Sequence, residues 1–247
     1  MNHNGRNVFI TGSNRGLGLS LLNQFHSMGA NVIAHVRKQS DSEELRNNFK
    51  NNPTGSTFHS IYFDLKSIPS SREIQEKLGN EFKIIDVLVV NAGIYNEQLF
   101  QMSSDSILEE LFEVNLFSAI KIVRKLIPNL RKSKNPSIIF ISSIASMDLE
   151  IGNSLYGITK AALNALTKSL YKELSPYNIR VNAVAPGLID TDMSKKINAK
   201  AYRKALEKTI LNEPISPEDI ANVVLFLASE DSKVINGEII RCDGGRI

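Results

Sequence analysis

Tyr156 and Lys160 stand four residues apart in SLYGITKAAL (154–163), surrounded by small side chains. Residues at i and i+4 share one face of a helix, so a helix here would aim the phenol and the ammonium the same way. A phenol with a pKa near 10 is a poor proton-transfer group at neutral pH. An ammonium ~4 Å away is worth about 4 kcal/mol at an effective dielectric of 20, enough to draw that pKa down by up to roughly 3. Gly157 and Ala161 are expected to leave room beside the pair for a cofactor and a substrate. Taken alone, such a pair equally fits a solvated helix face, so the rest of the chain has to decide its meaning.

A second group of residues supplies that context. TGSNRGLG (11–18) carries Gly12, Gly16 and Gly18, with Ser13, Asn14, Arg15 and Leu17 between them, after an apolar run and before an amphipathic one. A strand, a glycine turn and a helix in that order make a phosphate cradle: glycines let the backbone close on a pyrophosphate, whose charge meets the helix N-terminus. Dinucleotide folds that prefer NAD typically end their second strand with a carboxylate for the ribose hydroxyls. Here AHVRKQ (34–39) has Val36 in that place and Arg37 next, with no acid before Asp41. Arg15 aims a second cation at the same region, and arginine forks match phosphate bidentately. NADP(H) is therefore the expected cofactor.

The elements that must position these residues show as short apolar runs alternating with longer amphipathic ones. Strands are expected over 7–11, 31–36, 56–63, 84–90, 137–142, 179–185 and 237–242, several of them apolar on both faces as buried parallel strands are. Helices are expected over 17–28, 106–131, 154–174 and 217–228; the last has Ser216 as N-cap, Pro217 at N1 and two acids in its first turn. This alternation predicts an α/β fold, one doubly wound Rossmann-type domain over 1–247, with about seven parallel strands and helices on both faces. The polar, Lys-rich stretch at about 190–213 breaks the rhythm and is expected to form a substrate flap.

Composition narrows the function. Of 247 residues, 42% are hydrophobic and 22% charged, and the formal charge is only +3. With no basic block and no basic stripe interleaved with aromatics, nucleic-acid binding is not expected. No apolar run approaches the ~20 residues of a membrane helix, and the N-terminus lacks a signal-peptide pattern, so a cytoplasmic protein is expected. The lone Cys242 can form no internal disulfide, and His3, His26, His35 and His59 lack metal-ligand spacing, so no metal is expected.

From the glycine spacing onward the chain resembles the short-chain dehydrogenase/reductase family over its whole length. The motifs in order are T-G-x-x-x-G-x-G, VNAG (90–93), SS (142–143), Y-x-x-x-K (156–160), APG (185–187) and GEIIRCDGG. The resemblance implies that Tyr156 exchanges a proton with the substrate oxygen during hydride transfer. Lys160 would hold the nicotinamide ribose and lower the phenol's pKa, and Ser143, rather than Ser142, would hydrogen-bond the substrate oxygen. Asn115 in FEVNLFS would open its helix locally and position a water that links the lysine to solvent. It further implies cofactor contacts from Asp64 and Leu65 beside the adenine, and from Asn91, Ala92 and Gly93 beside the adenosine ribose. Pro186, Gly187, Ile189 and Thr191 would run beside the nicotinamide carboxamide.

Within the family, TGSNRGLG, APGLIDTDM and PEDIANVVLFLASE are most similar to the β-ketoacyl-carrier-protein reductases. That likeness implies an NADPH-dependent ketone reductase whose substrate is carried on acyl carrier protein, with Arg131, Lys132, Lys134 and Lys172 available as a basic rim. A sugar, polyol, steroid or specialised biosynthetic ketone remains open as substrate, and so does a non-catalytic NADP(H)-sensing regulator. The resemblance also implies a homotetramer or homodimer built on the two long helices.

Overall fold

The structure, a computed structural model, describes residues 1–49, 55–196 and 199–246. Seven parallel strands form one sheet: β1 (Asn7–Thr11), β2 (Asn31–Val36), β3 (Phe58–Tyr62), β4 (Val87–Val90), β5 (Ser137–Ile141), β6 (Arg180–Pro186) and β7 (Ile239–Cys242), in the order β3-β2-β1-β4-β5-β6-β7. The helices are α1 (Gly16–Ser27), α2 (Gln39–Asn48), α3 (Ser71–Leu78), α4 (Asp105–Phe112), α5 (Ser118–Leu130), α6 (Ser154–Glu173), α7 (Ala199–Glu207) and α8 (Pro217–Ala228).

Strand side chains alternate between faces, and here both faces are covered. Phe9, Ile33, Leu88, Ile138 and Phe140 point into one core layer with Ile74 of α3, Ile122 and Leu126 of α5 and Leu163 of α6. Their neighbours Val8, Ile10, Val32, Val89 and Ile139 point into the other, against Leu21 and Phe25 of α1 and Ile220 and Val224 of α8. This double burial is why the central strands read as unbroken apolar runs. The chain winds outward through β1, β2 and β3, then returns to place β4 beside β1. That reversal opens a crevice at the carboxyl ends of β1 and β4, where open α/β sheets bind ligands.

Three features depart from the expected elements. The stretch over 106–131 is not one helix: α4 and α5 are separated by a π turn at Glu113–Phe117. Two polar helices carry little apolar pattern to announce them, α3 only the pair Ile74 and Leu78. α2 buries only Ser42 and Leu45, and α3 is defined by a capping box in which Ser70 Oγ accepts from Glu73 N while Glu73 returns the bond to Ser70 N. The span expected as a flap contains a short 3-10 turn at Ser194–Lys196 and then α7; Ile197 and Asn198 lie outside the described residues. No helix among the described residues is long and apolar enough to cross a membrane.

Candidate active site

The glycine loop closes tightly on itself. Gly12 and Gly16 have φ of +68° and +52°, in the left-handed region that favours glycine. A Cβ on Gly18 would lie 2.0 Å from Gly12 O, so α1 leaves the loop at a distance only glycine permits. The amides of Gly12 and Ser13 both donate to His35 O, at 2.9 and 3.1 Å, and Ser13 Oγ donates to Ile10 O. Asn91, at the end of β4, donates from Nδ2 to Thr11 O and Gly12 O, both at 3.0 Å, and Thr11 Oγ1 accepts from the amides of Asn91 and Ala92. The two sides of the crevice are thus tied by the residues expected to line it. Leu17 is buried beneath the loop.

Arg15 occupies the N-cap position of α1 and its side chain caps nothing. The first amides of α1 therefore have no side-chain acceptor, which leaves them free for an anion. Arg15 and Arg37 are both exposed, and neither pairs with an acid among the described residues. Val36 is buried at the end of β2. The first turn of α2 brings Asp41 back to the loop, where its Oδ2 accepts from Asn14 Nδ2 at 3.2 Å. At the end of β3, Asp64 Oδ1 accepts from Lys66 N at 2.9 Å and caps a short 3-10 turn in which Leu65 is buried.

At the far side of the crevice, α6 sets Tyr156 and Lys160 on one face. The Tyr156 hydroxyl lies beside Ser143, whose side chain acts to lower the phenol's pKa. Ser142 turns away, its Oγ donating to Lys160 O at 3.2 Å, so of the two serines only Ser143 meets the phenol. Lys160 is 4% exposed, and its Nζ donates to Ile141 O at 2.8 Å and lies 5.8 Å from the centre of the Tyr156 ring. Burial draws the ammonium down to about 8. The phenol moves opposite to expectation: burial pushes it up to about 12, with the Ser143 hydrogen bond pulling back. The expected lowering assumed an ammonium ~4 Å from the phenol; in the protein alone the lysine is held by Ile141, and desolvation of the phenolate dominates.

Gly157 also does something other than expected. A Cβ there would lie 2.3 Å from Leu149 Cδ2 and 2.6 Å from Ala145 O, so its missing side chain admits the loop after β5, not a ligand. That contact presses the Ser143 loop onto α6. Gly93 packs closely against Lys160 as well, since a Cβ there would stand 3.4 Å from Lys160 Nζ and 3.2 Å from Asn115 Oδ1.

Asn115, 1% exposed, sits in the π turn. Its Oδ1 accepts from Ile94 N at 2.8 Å, and its Nδ2 donates to Ile94 O and Thr159 Oγ1 at 3.0 and 3.1 Å. Thr159 Oγ1 in turn donates to Tyr156 O at 2.7 Å, which connects the π turn, the loop after β4 and the tyrosine's own helical turn. Two side chains missed from the sequence complete this group. Tyr95 packs edge-on against Tyr156 with ring centres 5.0 Å apart, and its hydroxyl donates to Asn153 Oδ1 at 2.9 Å. The aromatic two residues past NAG was the available signal for Tyr95.

After β6, Gly187 N donates to Cys242 O, and a Cβ on Gly187 would meet Asp243 Cα at 2.9 Å. Pro186 ends the strand. Ile189 bridges Ile215 in parallel, with Asp190 N and Ile215 O closing the pair at 2.9 Å. Thr191 lies against the glycine loop, since a Cβ on Gly16 would come 3.3 Å from Thr191 Cγ2. The residues expected around one dinucleotide thus come from the carboxyl ends of five strands, along one edge of the sheet. The expected basic rim does not belong to it. Arg131, Lys132 and Lys134 precede β5 and Lys172 precedes β6, so all four lie at the amino edge of the sheet, the end opposite Tyr156. Arg131 stacks on Tyr177 at 3.9 Å.

Comparison with known proteins decides the family. The family model described as Enoyl-(Acyl carrier protein) reductase matches residues 12–246. The chain belongs to the short-chain dehydrogenase/reductase family. A 3-oxoacyl-(acyl-carrier-protein) reductase of Aquifex aeolicus is 37% identical over 245 residues, covering 98% of this chain and 97% of its own. A short-chain dehydrogenase/reductase of Arabidopsis thaliana is 34% identical, covering 98% and 94%. Among solved structures, a 3-oxoacyl-(acyl-carrier protein) reductase from Brucella melitensis superposes with a TM-score of 0.87 at 26% identity, over 99% of this chain and 92% of its own. As a short-chain dehydrogenase/reductase of this group the chain is an oxidoreductase of the ketoreductase type.

Proposed function

We propose that the protein reduces a ketone to a secondary alcohol with NADPH, and that the ketone is a 3-oxoacyl group carried as a thioester on an acyl carrier protein. The observation that carries the reading is the grouping of Ser143, Tyr156 and Lys160, with Ser143 beside the phenol and Lys160 on the same face of α6. Two hydroxyls converging on one point suit an oxygen that must end as an alcohol, which favours a ketone over the carbon–carbon double bond in the family model's description. The curated relatives named as 3-oxoacyl-carrier-protein reductases support the acyl substrate.

The residues present fit a dinucleotide. Uncapped amides at the start of α1 suit a pyrophosphate, the bare backbone of Gly93 runs close beside Lys160, and Arg15 with Arg37 offers unpaired cations for a 2′-phosphate. When bound, the nicotinamide supplies or accepts the hydride. Ser143 Oγ donates a hydrogen bond to the substrate oxygen and stabilises the charge that develops there. Tyr156 Oη gives its proton to that oxygen; at about 12 the phenol is protonated throughout the neutral range, as reduction requires. Lys160, mostly ammonium at neutral pH, sits behind the phenol and stabilises the phenolate left after proton transfer. Asn115, through Ile94 and Thr159, positions the loop and helical turn around the reacting groups.

On the same reading the protein works in the cytoplasm as a homotetramer or homodimer. NADPH consumption with an acetoacetyl thioester, run beside NADH, tests the function: turnover that prefers NADPH supports it, and NADPH binding without turnover removes the acyl substrate.

A further inference from the structure

Tyr95 lies two residues past Gly93, on the loop that Asn115 holds through Ile94. One side of its ring meets the edge of Tyr156 at 5.0 Å and an interplanar angle of 83°. Tyr95 also lines an open cleft of about 840 Å³ together with Asn96–Leu99, Ile151 and Gly152. Neither Ser143 nor Tyr156 lines that cleft. Tyr95 is therefore the residue common to the cleft and to the ring contact with the reacting phenol.

The Tyr95 ring is lashed in place. Asn153 stands at the N-cap of α6, where an asparagine ordinarily accepts from a first-turn amide and contributes ~1 kcal/mol. Its side chain makes no such bond; its Oδ1 accepts from the Tyr95 hydroxyl instead. A second tie runs alongside, with Gln98 N donating to Gly152 O at 2.9 Å. Gly152 has φ of +89°, and a Cβ there would come 3.2 Å from Glu97 Cγ, so the two segments close against each other. Diverting a helix cap to hold one aromatic side chain has no return for the helix itself.

We propose that Tyr95 is a specificity-determining partition: its ring separates the space beside Tyr156 from the neighbouring cleft and excludes ketones with a branched or cyclic substituent. This rests on the ketoreductase reading above. A linear 3-oxoacyl chain presents a slim methylene to the ring, whereas an α-branch or a ring needs the volume that Tyr95 occupies. Truncation joins cleft and site.

The test compares kcat/KM of the wild type, Tyr95→Ala and Asn153→Ala for three probes: an acetoacetyl thioester, its 2-methyl-branched counterpart and a substituted cyclohexanone. A single methyl in a fitted pocket is worth ~10–200-fold in discrimination, so the wild type should favour the linear thioester by about tenfold or more. Tyr95→Ala should bring the ratio near parity. Asn153→Ala keeps the ring but leaves its hydroxyl only the longer bond to Glu97 Oε2 at 3.4 Å, and should reduce the ratio by about threefold; it carries the test if thermal melting shows that Tyr95→Ala does not fold. A ratio unchanged from wild type in the folded variant, with both rates lowered together, overturns the partition and leaves the ketoreductase reading intact. A wild type that reduces none of the three overturns that reading and the partition with it.

Discussion

Replacing Lys160 by methionine should make the protein's stability respond differently to pH, by an amount the structure sets. In the unfolded chain this ammonium holds its proton to about 10.5, and in the folded protein burial brings it to about 8. Between those values the unfolded chain binds more protons, so stability rises with pH; below about 8 the penalty of burying the charge is fully present. That lowering corresponds to roughly 3 kcal/mol, of which roughly 2 kcal/mol is recovered between pH 7 and pH 9.5. Lys160→Met keeps the stem and removes the charge, and it also strips Ile141 O of its donor. That loss costs ~1–3 kcal/mol but does not vary with pH. Urea unfolding of the two cofactor-free proteins at pH 7 and pH 9.5 separates the terms. The wild type should gain about 2 kcal/mol on the variant across that interval. A difference that stays flat with pH would refute a lysine buried as a charge.

Other consequences follow from the same geometry. Gly157→Ala pushes a methyl to 2.6 Å from the backbone oxygen of Ala145, which cannot rotate away. Overpacking of this kind costs ~1–3 kcal/mol, so melting should fall by about 2–12 °C, and because Ser143 Oγ accepts from Ala145 N, kcat should fall with it. An unchanged melting temperature would show that the loop after β5 gives way freely. Arg37→Glu removes an exposed cation and sets a carboxylate one residue past Val36, the position where NAD-preferring folds place an acid. Calorimetry should show NADPH affinity falling by about tenfold or more, as loss of a charge-assisted pair of ~1.5–3 kcal/mol implies, while NADH affinity holds or rises. Equal weakening of both cofactors would place the 2′-phosphate elsewhere.

What the sequence revealed, and what it concealed, has a physical pattern. Buried strands such as β4 (VLVV) and the glycine loop announce themselves because burial on both faces and close backbone approach leave few residue types available. Ser216, Pro217 and the acids behind them marked the start of α8 for the same reason, since helix termini have particular chemical needs. α2 was concealed because it buries only one apolar side chain, Leu45, and its pattern has no period to detect. The motif residues gather at the carboxyl edge of the sheet, but their environment was not in the motif. Spacing placed Tyr156 and Lys160 on one face, yet it could not show that Ile141 O captures the ammonium or that burial outweighs charge at the phenol. Gly157 belonged to packing, not to ligand space, because its neighbour Ala145 comes from another element. The basic residues proved to lie at the wrong edge of the sheet, which a parallel topology decides and a count of lysines does not.

The central claim is that the Tyr156 hydroxyl delivers the proton. NADPH oxidation with an acetoacetyl thioester by wild type and by Tyr156→Phe, with NADPH binding measured on both, tests it most directly. The account predicts comparable NADPH affinity and a rate reduced by ~10²–10⁴-fold in the variant, the range that loss of a general acid brings. A variant that binds NADPH and still turns over at the wild-type rate would contradict it.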